Sequence, residues 1–431
     1  MKFINMTFPA TVVASILILF LPLAAADDYT LARCRELALK NNVAVRNADL
    51  EVAAARELKR SAFTRYFPSV SASGLAMSFD DPVLQLGSMS LLDKLTLGSV
   101  TVVQPLFAGG RIIAGNKLAE VGRQASEQKR RLSENETLLK TEEQYWLIVS
   151  LDEKVKTLDL YTQMLDDLGK QAGDAYRAGV IARNDLLKVN VKQSELQLQR
   201  LQLADGRHLA QLAFCQFLGI EYDPAMKMSD SLQPAPLPKS LFIENSQALP
   251  QRAEYSLLNI GVRAEKLQGD MKRGELLPQL GVGVGGFYLR IMQGHHQYNT
   301  MAFASLSIPI SGWWGGAHEL KEKKFREQIA RNNMRDGGEL LQLQMQQAWY
   351  ELGESFKEIE LAQKLVEQSE ENLKVNEESY RQGISLLSDL LDAQAVLQQA
   401  CGRLIDAKAG NRFKTVNYLI VTGRTDLACN M

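Results

Sequence analysis

Proline is scarce in this chain of 431 residues, and it is unevenly placed. Beyond residue 26 it stands at Pro68, Pro82 and Pro105, at five positions between Pro224 and Pro250, and at Pro278 and Pro309. Residues 106–223 and 310–431 have none. Proline interrupts helices and central strands, so these gaps mark where long elements can run. Long apolar runs are missing too. After residue 26 no stretch is apolar for the length of a membrane-spanning helix, so a mature chain that enters a bilayer must do so as a closed β-barrel. Cysteine is limited to Cys34, Cys215, Cys401 and Cys429, without metal-ligand spacing. That is too few for a disulfide scaffold, although one bridge would suit an oxidising compartment. Neither charge sign is in excess: the net charge is −1 and the mean hydropathy −0.16. Nucleic acid therefore has no electrostatic claim as a partner.

Signatures of chemistry are equally thin. There is no GxxxxGK[ST] phosphate loop, nucleophile elbow or zinc-binding helix, so neither catalysis nor a cofactor is expected. The histidines are His208, His295, His296 and His318. The pair His295-His296, in GHHQY, is expected in a hairpin loop; with no further ligand nearby, no metal site is expected.

What is present begins with a leader. Lys2, the apolar run Val12–Leu23 and Ala24-Ala25-Ala26 form a signal-peptide pattern, with cleavage expected before Asp27. No cysteine follows directly, which argues against a lipid anchor.

The two proline-free blocks are rich in Leu, Gln, Glu, Lys and Ala, good helix formers. They also repeat one another. Pro105 and Pro309 lie 204 residues apart, as do Gly179 and Gly383, Asp185 and Asp389, and Gly219 and Gly423. Tyr145-Trp146 falls opposite Trp349-Tyr350 at the same offset. A constant offset over such a span implies a duplicated unit of about 200 residues. Upstream the offset becomes 210, between Pro68 and Pro278. The chain thus divides into a signal peptide, 1–26; a first repeat, 27–222, with a helix, a β-hairpin at about 66–107, a long helix 111–177 and a return helix 184–218; a connector, 223–250; a second repeat, 251–423, with a helix, a hairpin at about 278–310, a long helix 314–381 and a return helix 388–421; and a tail, 424–431. A helix of roughly 65 residues is about 100 Å long, too long for a globular core, so a rod or tube is expected. Gly337-Gly338 should mark a distortion or a close packing contact.

The segments around the remaining prolines are strand-like. YFPSVSASGLAMSF (Tyr66–Phe79), LTLGSVTVVQPLF (Leu95–Phe107), LPQLGVGVGGFYL (Leu277–Leu289) and MAFASLSIPI (Met301–Ile310) alternate weakly and carry aromatics at their ends. Membrane barrels have eight strands or more, so four per chain can span a bilayer only if several copies pool them. The alternative is a soluble periplasmic helical spacer, an interaction protein whose strands never enter lipid.

YTLARCRELALKNN near the mature start, the junction VVQPLFAGG, the turns YRAGVIARNDLL and YRQGISLLSDLL, and the DLLDAQ at Asp389–Gln394 resemble the TolC-type outer-membrane efflux proteins. The resemblance spans nearly all of the mature chain. It implies a mainly α fold with a membrane β part: long helical hairpins forming a trimeric α-barrel, continuous with a 12-stranded outer-membrane β-barrel, the connector lying in an equatorial belt. It implies a passive exit duct that works with a periplasmic adaptor and an inner-membrane transporter in efflux or type I secretion, with outer-membrane lipid around its barrel. The two repeated turns become periplasmic tips. Asp185, Tyr380, Asp389 and Asp392 match gate or constriction positions, and Arg177, Gly179, Arg381 and Gly383 fall in the turns where an adaptor docks. Ser385 stands where the family pattern can have arginine, which leaves Arg177 or Arg381 as the alternative partner for a tyrosine latch. From the residues themselves, Asn184 and Ser388 suit helix N-caps, and Asp185 and Asp389 the first helical turn.

Overall fold

The computed structural model describes residues 29–80, 85–86, 89–90, 94–233, 238–292 and 295–429; the expected signal peptide and part of the connector lie outside them. Two short helices open the described chain. Helix α1, Leu31–Asn41, is capped by Thr30, whose hydroxyl accepts from the Arg33 N–H at 3.2 Å. Helix α2, Val43–Phe63, is capped by Asn42, whose side-chain oxygen accepts from the Ala44 N–H. Strand β1, Ser69–Ser78, follows, then the two-residue strands β2, Gln85–Leu86, and β3, Met89–Ser90, and the long β4, Lys94–Ala108. Helix α3, Arg111–Arg177, is 67 residues long and so about 100 Å from end to end. Its return partner α4 is Arg183–Leu218.

After the connector, which holds the short α5, Asn245–Ala248, the series recurs. Helix α6 is Ala253–Glu275, β5 Gln279–Met292, β6 His295–Ser307, α7 Gly312–Arg381, α8 Leu387–Val421 and α9 Thr425–Cys429. At the turn end the helices lie side by side in the order α4–α3–α8–α7. Toward the sheet the order is α2–α3–α6–α7. Each return helix finishes beside the start of an upper one: Gly219 against Asn41, and Gly423 against Gln251. The result is a curtain of helices with α7 along one edge and α2 and α4 along the other.

The main sheet has the order β1-β4-β5-β6 and is antiparallel throughout, with a bulge between Pro105 and Phe107. Its outer strands β1 and β6 have no further partner among the described residues. β6 starts at His295, so His296 is a strand residue paired with Arg290; the loop expected for this pair is a correction. The polar HHQYN belongs to the strand because β5 continues far enough to pair its backbone, His296 with Arg290, Gln297 with Leu289, Tyr298 with Tyr288 and Asn299 with Phe287.

Helix α7 passes unbroken through Gly337-Gly338. A Cβ on Gly337 would meet Leu258 Cδ1 at 2.7 Å, so the glycines mark close packing against α6. Buried clusters stack along the curtain. One, around Cys34, Tyr145, Ile148, Phe214, Leu218 and Met226, fastens α1, α3 and α4 to the connector. Tyr145 donates to Asp230 Oδ2 at 2.6 Å, and the same oxygen accepts from the Leu31 N–H. In the second unit, Leu352, Tyr418 and Leu419 form the related cluster. The duplicated aromatic pairs have diverged: Tyr145 and Trp146 are buried, whereas Trp349 packs on Tyr418 and Tyr350 is exposed. Cys34, Cys215 and Cys401 are free thiols.

Candidate functional site at the two ends of the helical curtain

The repeated turns are built alike because the same hydrogen bonds close them. At the end of α3, Val180 N–H donates to Ala175 O at 2.9 Å and Gly179 N–H to Tyr176 O at 3.0 Å. At the end of α7, Ile384 N–H donates to Ser379 O and Gly383 N–H to Tyr380 O. Both are Schellman closures, which need a left-handed residue; Gly179 has φ 74° and Gly383 φ 73°.

The next helices begin at Arg183 and Leu387, one residue before Asn184 and Ser388. The N-cap positions belong to Ala182 and Leu386, which have no side-chain acceptor, so the caps expected at Asn184 and Ser388 are corrected. Asp389 covers the deficit in α8 by accepting from the Leu386 N–H at 3.2 Å. Asp185, at the matching place in α4, pairs with Lys188 at 3.4 Å. Carboxylates in a first helical turn are favoured by the helix dipole, which accounts for both aspartates locally.

Tyr380 and Asp185 are brought together from opposite repeats. Tyr380 packs on the cluster that contains Leu168, Val189, Leu387 and Leu390. Burial pushes its phenol above the ordinary value, and the nearby Asp185 carboxylate pushes it further. Asp389 and Asp392 are exposed, three residues apart and so on one helix face. Arg177 is exposed and pairs with Asp174 one turn back in its own helix. Arg381 is likewise exposed, and Ser385 is half-buried, its hydroxyl 3.5 Å from Asn376 O. Among the described residues no group of His, Cys, Asp and Glu is arranged to hold a metal ion.

One feature of the turns escaped the sequence reading. Val180 and Ile384 are each 75% exposed, and Leu386 is nearly as open. Val180 and Ile384 keep the repeat offset, which was the available signal.

At the other end the sheet has two unlike faces. Residues opposite one another in the ladder share a face. Val70, Val102, Val284 and Ala302 form one such row, Ala72, Val100, Gly286 and Thr300 the next, and Tyr288 pairs with Tyr298 beyond them. The opposite face carries Ser71, Thr101 and Gly285, and then Ser73, Ser99 and Phe287. Hydroxyl pairs link it, Ser71 to Thr101 and Ser73 to Ser99, both at 2.8 Å. An exposed valine and alanine face bounded by tyrosines is the pattern of a lipid-facing barrel wall, and a hydroxylated face suits a wet interior. Toward the helices, Phe63 packs edge-on against Tyr66 and Phe67, with exposed Trp313 and Trp314 at the same end of the sheet. No described helix is long and apolar enough to cross a membrane.

The family model described as outer membrane efflux protein matches residues 34–219 and 246–412. A comparison with the curated proteins gives no sequence match. Several solved structures share the fold. The outer membrane protein VceC of Vibrio cholerae superposes with a TM-score of 0.76 at 13% identity, over 91% of this chain and 96% of its own. The CmeC outer membrane channel of Campylobacter jejuni gives 0.79 at 17% identity, over 92% and 86%. The open state of the MtrE outer membrane channel of Neisseria gonorrhoeae gives 0.73 at 17% identity, over 92% and 89%.

Proposed function

Because the chain belongs to the outer membrane efflux protein family, we propose that three copies form a passive exit duct through the outer membrane. The observation that carries this reading is the agreement of the open edges. The sheet ends on β1 and β6. β1 follows α2 and β6 precedes α7, so the unpaired strands lie over the unpaired edges of the helical curtain. Those helix edges are apolar. Leu187, Val191, Leu198 and Leu201 recur at helical period on α4, and Phe325, Ile329, Leu340, Leu343 and Tyr350 do so on α7, all exposed. Lipid does not tolerate open strand edges. Joining α7 and β6 of one copy to α2, α4 and β1 of the next covers every edge at once. Two copies would give eight strands with a filled interior; three give twelve strands and leave a lumen. The signal peptide would export the chain, and the apolar sheet face would set its barrel in the outer membrane, which the soluble spacer reading leaves unexplained.

The helices then cross the periplasm, and the turns are their far tips. Gly179, Gly383, Arg177 and Arg381, with exposed Val180 and Ile384, present a mixed apolar and basic surface to a periplasmic adaptor. An inner-membrane transporter supplies the energy, since the chain has no nucleotide loop. Asp185, Tyr380, Asp389 and Asp392 form the constriction. Three copies of Asp389 and Asp392 around an axis make two acidic rings, which favour cations.

Single-channel conductance of the detergent-purified protein in planar bilayers tests both the duct and its gate. The wild type is expected to give a small, cation-selective current, and Asp389→Ala/Asp392→Ala a larger or less selective one. Insertion with a current indifferent to the substitutions would leave the aspartates as helix-terminal groups. Failure of a folded preparation to insert would reject the duct.

A further inference from the structure

The four strands of the main sheet contain no Asp or Glu, and their cationic side chains gather at the end away from the helices. Thr96, Arg290 and His296 lie opposite one another in the ladder, and Lys94 stands two residues further out than Thr96. By the same alternation Lys94, Arg290 and His296 share the face that holds Val100, Val102, Val284 and Ala302. At this level the other face offers Leu97, Leu289 and Gln297, without charge. Lys94, Arg290 and His296 are exposed, and neither Lys94 nor Arg290 is in an ion pair among the described residues. Directly inside them lies an aromatic shelf: the Tyr288 and Tyr298 rings are 5.0 Å apart, and His296 is 5.7 Å from Tyr298. Along one face the order is therefore aliphatic band, tyrosine pair, cations.

Resting on the membrane-barrel reading above, we propose that this rim is a binding site for the phosphate groups of an anionic lipid in the outer leaflet. Tyrosines favour the depth where hydrocarbon gives way to headgroups, so the cations just beyond them stand among the headgroups. A cation in the middle of a barrel's lipid face is costly, but near the interface that cost almost vanishes. There the attraction to anionic lipid decides. Arg290 can present two parallel N–H donors to one phosphate, and Lys94 adds a mobile point charge. His296 adds a ring donor. Lipid rather than free phosphate is the chosen source because the same face continues directly into the aliphatic band, where acyl chains would lie.

The test compares the full mature protein with Lys94→Gln/Arg290→Gln and with Arg290→Lys. Flotation with phosphatidylcholine vesicles reads insertion. Lipid-dependent thermal shift in a zwitterionic detergent reads headgroup binding, with bisphosphorylated lipid A, its dephosphorylated form and inorganic phosphate as probes. All three proteins should float. The apparent dissociation constant for the phosphorylated lipid should rise roughly thirtyfold in the double variant, from two cations of ordinary surface strength. Arg290→Lys keeps the charge but loses the paired donors, so its dissociation constant should fall between those of the wild type and the double variant, and added salt should weaken the binding of all three. An equal shift with dephosphorylated lipid, an equal shift in the double variant, or the same shift from inorganic phosphate alone would overturn the lipid site. Failure of the wild type to float would instead overturn the barrel reading on which the site rests.

Discussion

Arg35 of α1 and Glu142 of α3 meet at 2.5 Å with side chains only 7% and 1% exposed. Trp146 Nε1 donates to the second Glu142 oxygen at 3.0 Å, and the Arg412 guanidinium of α8 lies over the Trp146 ring. One carboxylate thus ties α1 to α3, and the Trp146 ring carries the contact on to α8. Such a pair adds little net stability, but breaking it leaves a bare buried charge. Arg35→Ala should therefore cost about 3–5 kcal/mol in denaturant unfolding, whereas Arg35→Met/Glu142→Leu should cost far less. Burial pushes the Glu142 carboxyl above its ordinary value, with Arg35 opposing. A raised carboxyl binds its proton more readily in the folded chain, so its contribution is fully present below the ordinary glutamate range. It is lost as pH rises through the raised folded value. Comparing unfolding of the wild type with Glu142→Gln across that window should show the wild type losing stability relative to the variant as pH increases. Neither residue advertised itself in the sequence. ARCRE and KTEEQYW are charged stretches of ordinary helical composition, and only the approach of α1 to α3 buries the two side chains.

The junction between sheet and helices is decided by backbone rather than side chains. Where β4 passes into α3, Gly109 and Gly110 have φ of 61° and 80°. A Cβ on Gly110 would meet nothing, but one on Gly109 would lie 2.2 Å from the Gly274 carbonyl oxygen of α6. Alanine at 110 should cost the strain of a left-handed residue, about 1–2 kcal/mol. Alanine at 109 adds a collision that neither backbone can relieve, so its melting temperature should fall further, with hydrogen exchange quickening at the start of α3. At this scale much was legible. Proline-free blocks of helix formers correspond to α3 and α7, and strand-like segments between prolines to β1, β4, β5 and β6. What misled was chemistry that another part of the chain supplies. Asn184 and Ser388 look like caps, yet Ala182 and Leu386 take those positions, with Asp389 serving the backbone N–H in α8. His295 and His296 look like a loop until β5 offers them partners. The turn residues were visible through their repeat, but the approach of Tyr380 to Asp185 joins elements from different repeats, for which one sequence carries no spacing.

For the whole molecule, the count of four strands per chain pointed to assembly, and the unlike edges of the chain allow two kinds. The two sides of the chain differ, α7 and β6 on one, α2, α4 and β1 on the other. Copies that join unlike sides form a head-to-tail ring; copies that join like sides form a two-fold dimer. Substitutions on the apolar stripes separate these arrangements. Burying a leucine side chain contributes about 1.5–3 kcal/mol, and an ionised glutamate in its place adds a desolvation cost. In a ring, every interface contains one α4 stripe and one α7 stripe. Leu198→Glu/Leu201→Glu should therefore weaken all three interfaces and give monomers by analytical ultracentrifugation in detergent, as should Leu340→Glu/Leu343→Glu on α7. An equimolar mixture of the two variants retains one undamaged kind of contact, the α7 edge of the first chain against the α4 edge of the second. It should reach mixed dimers and stop, because neither remaining edge is intact. Homodimers of either variant alone would mean that like sides join, and the continuous tube would fall with that result.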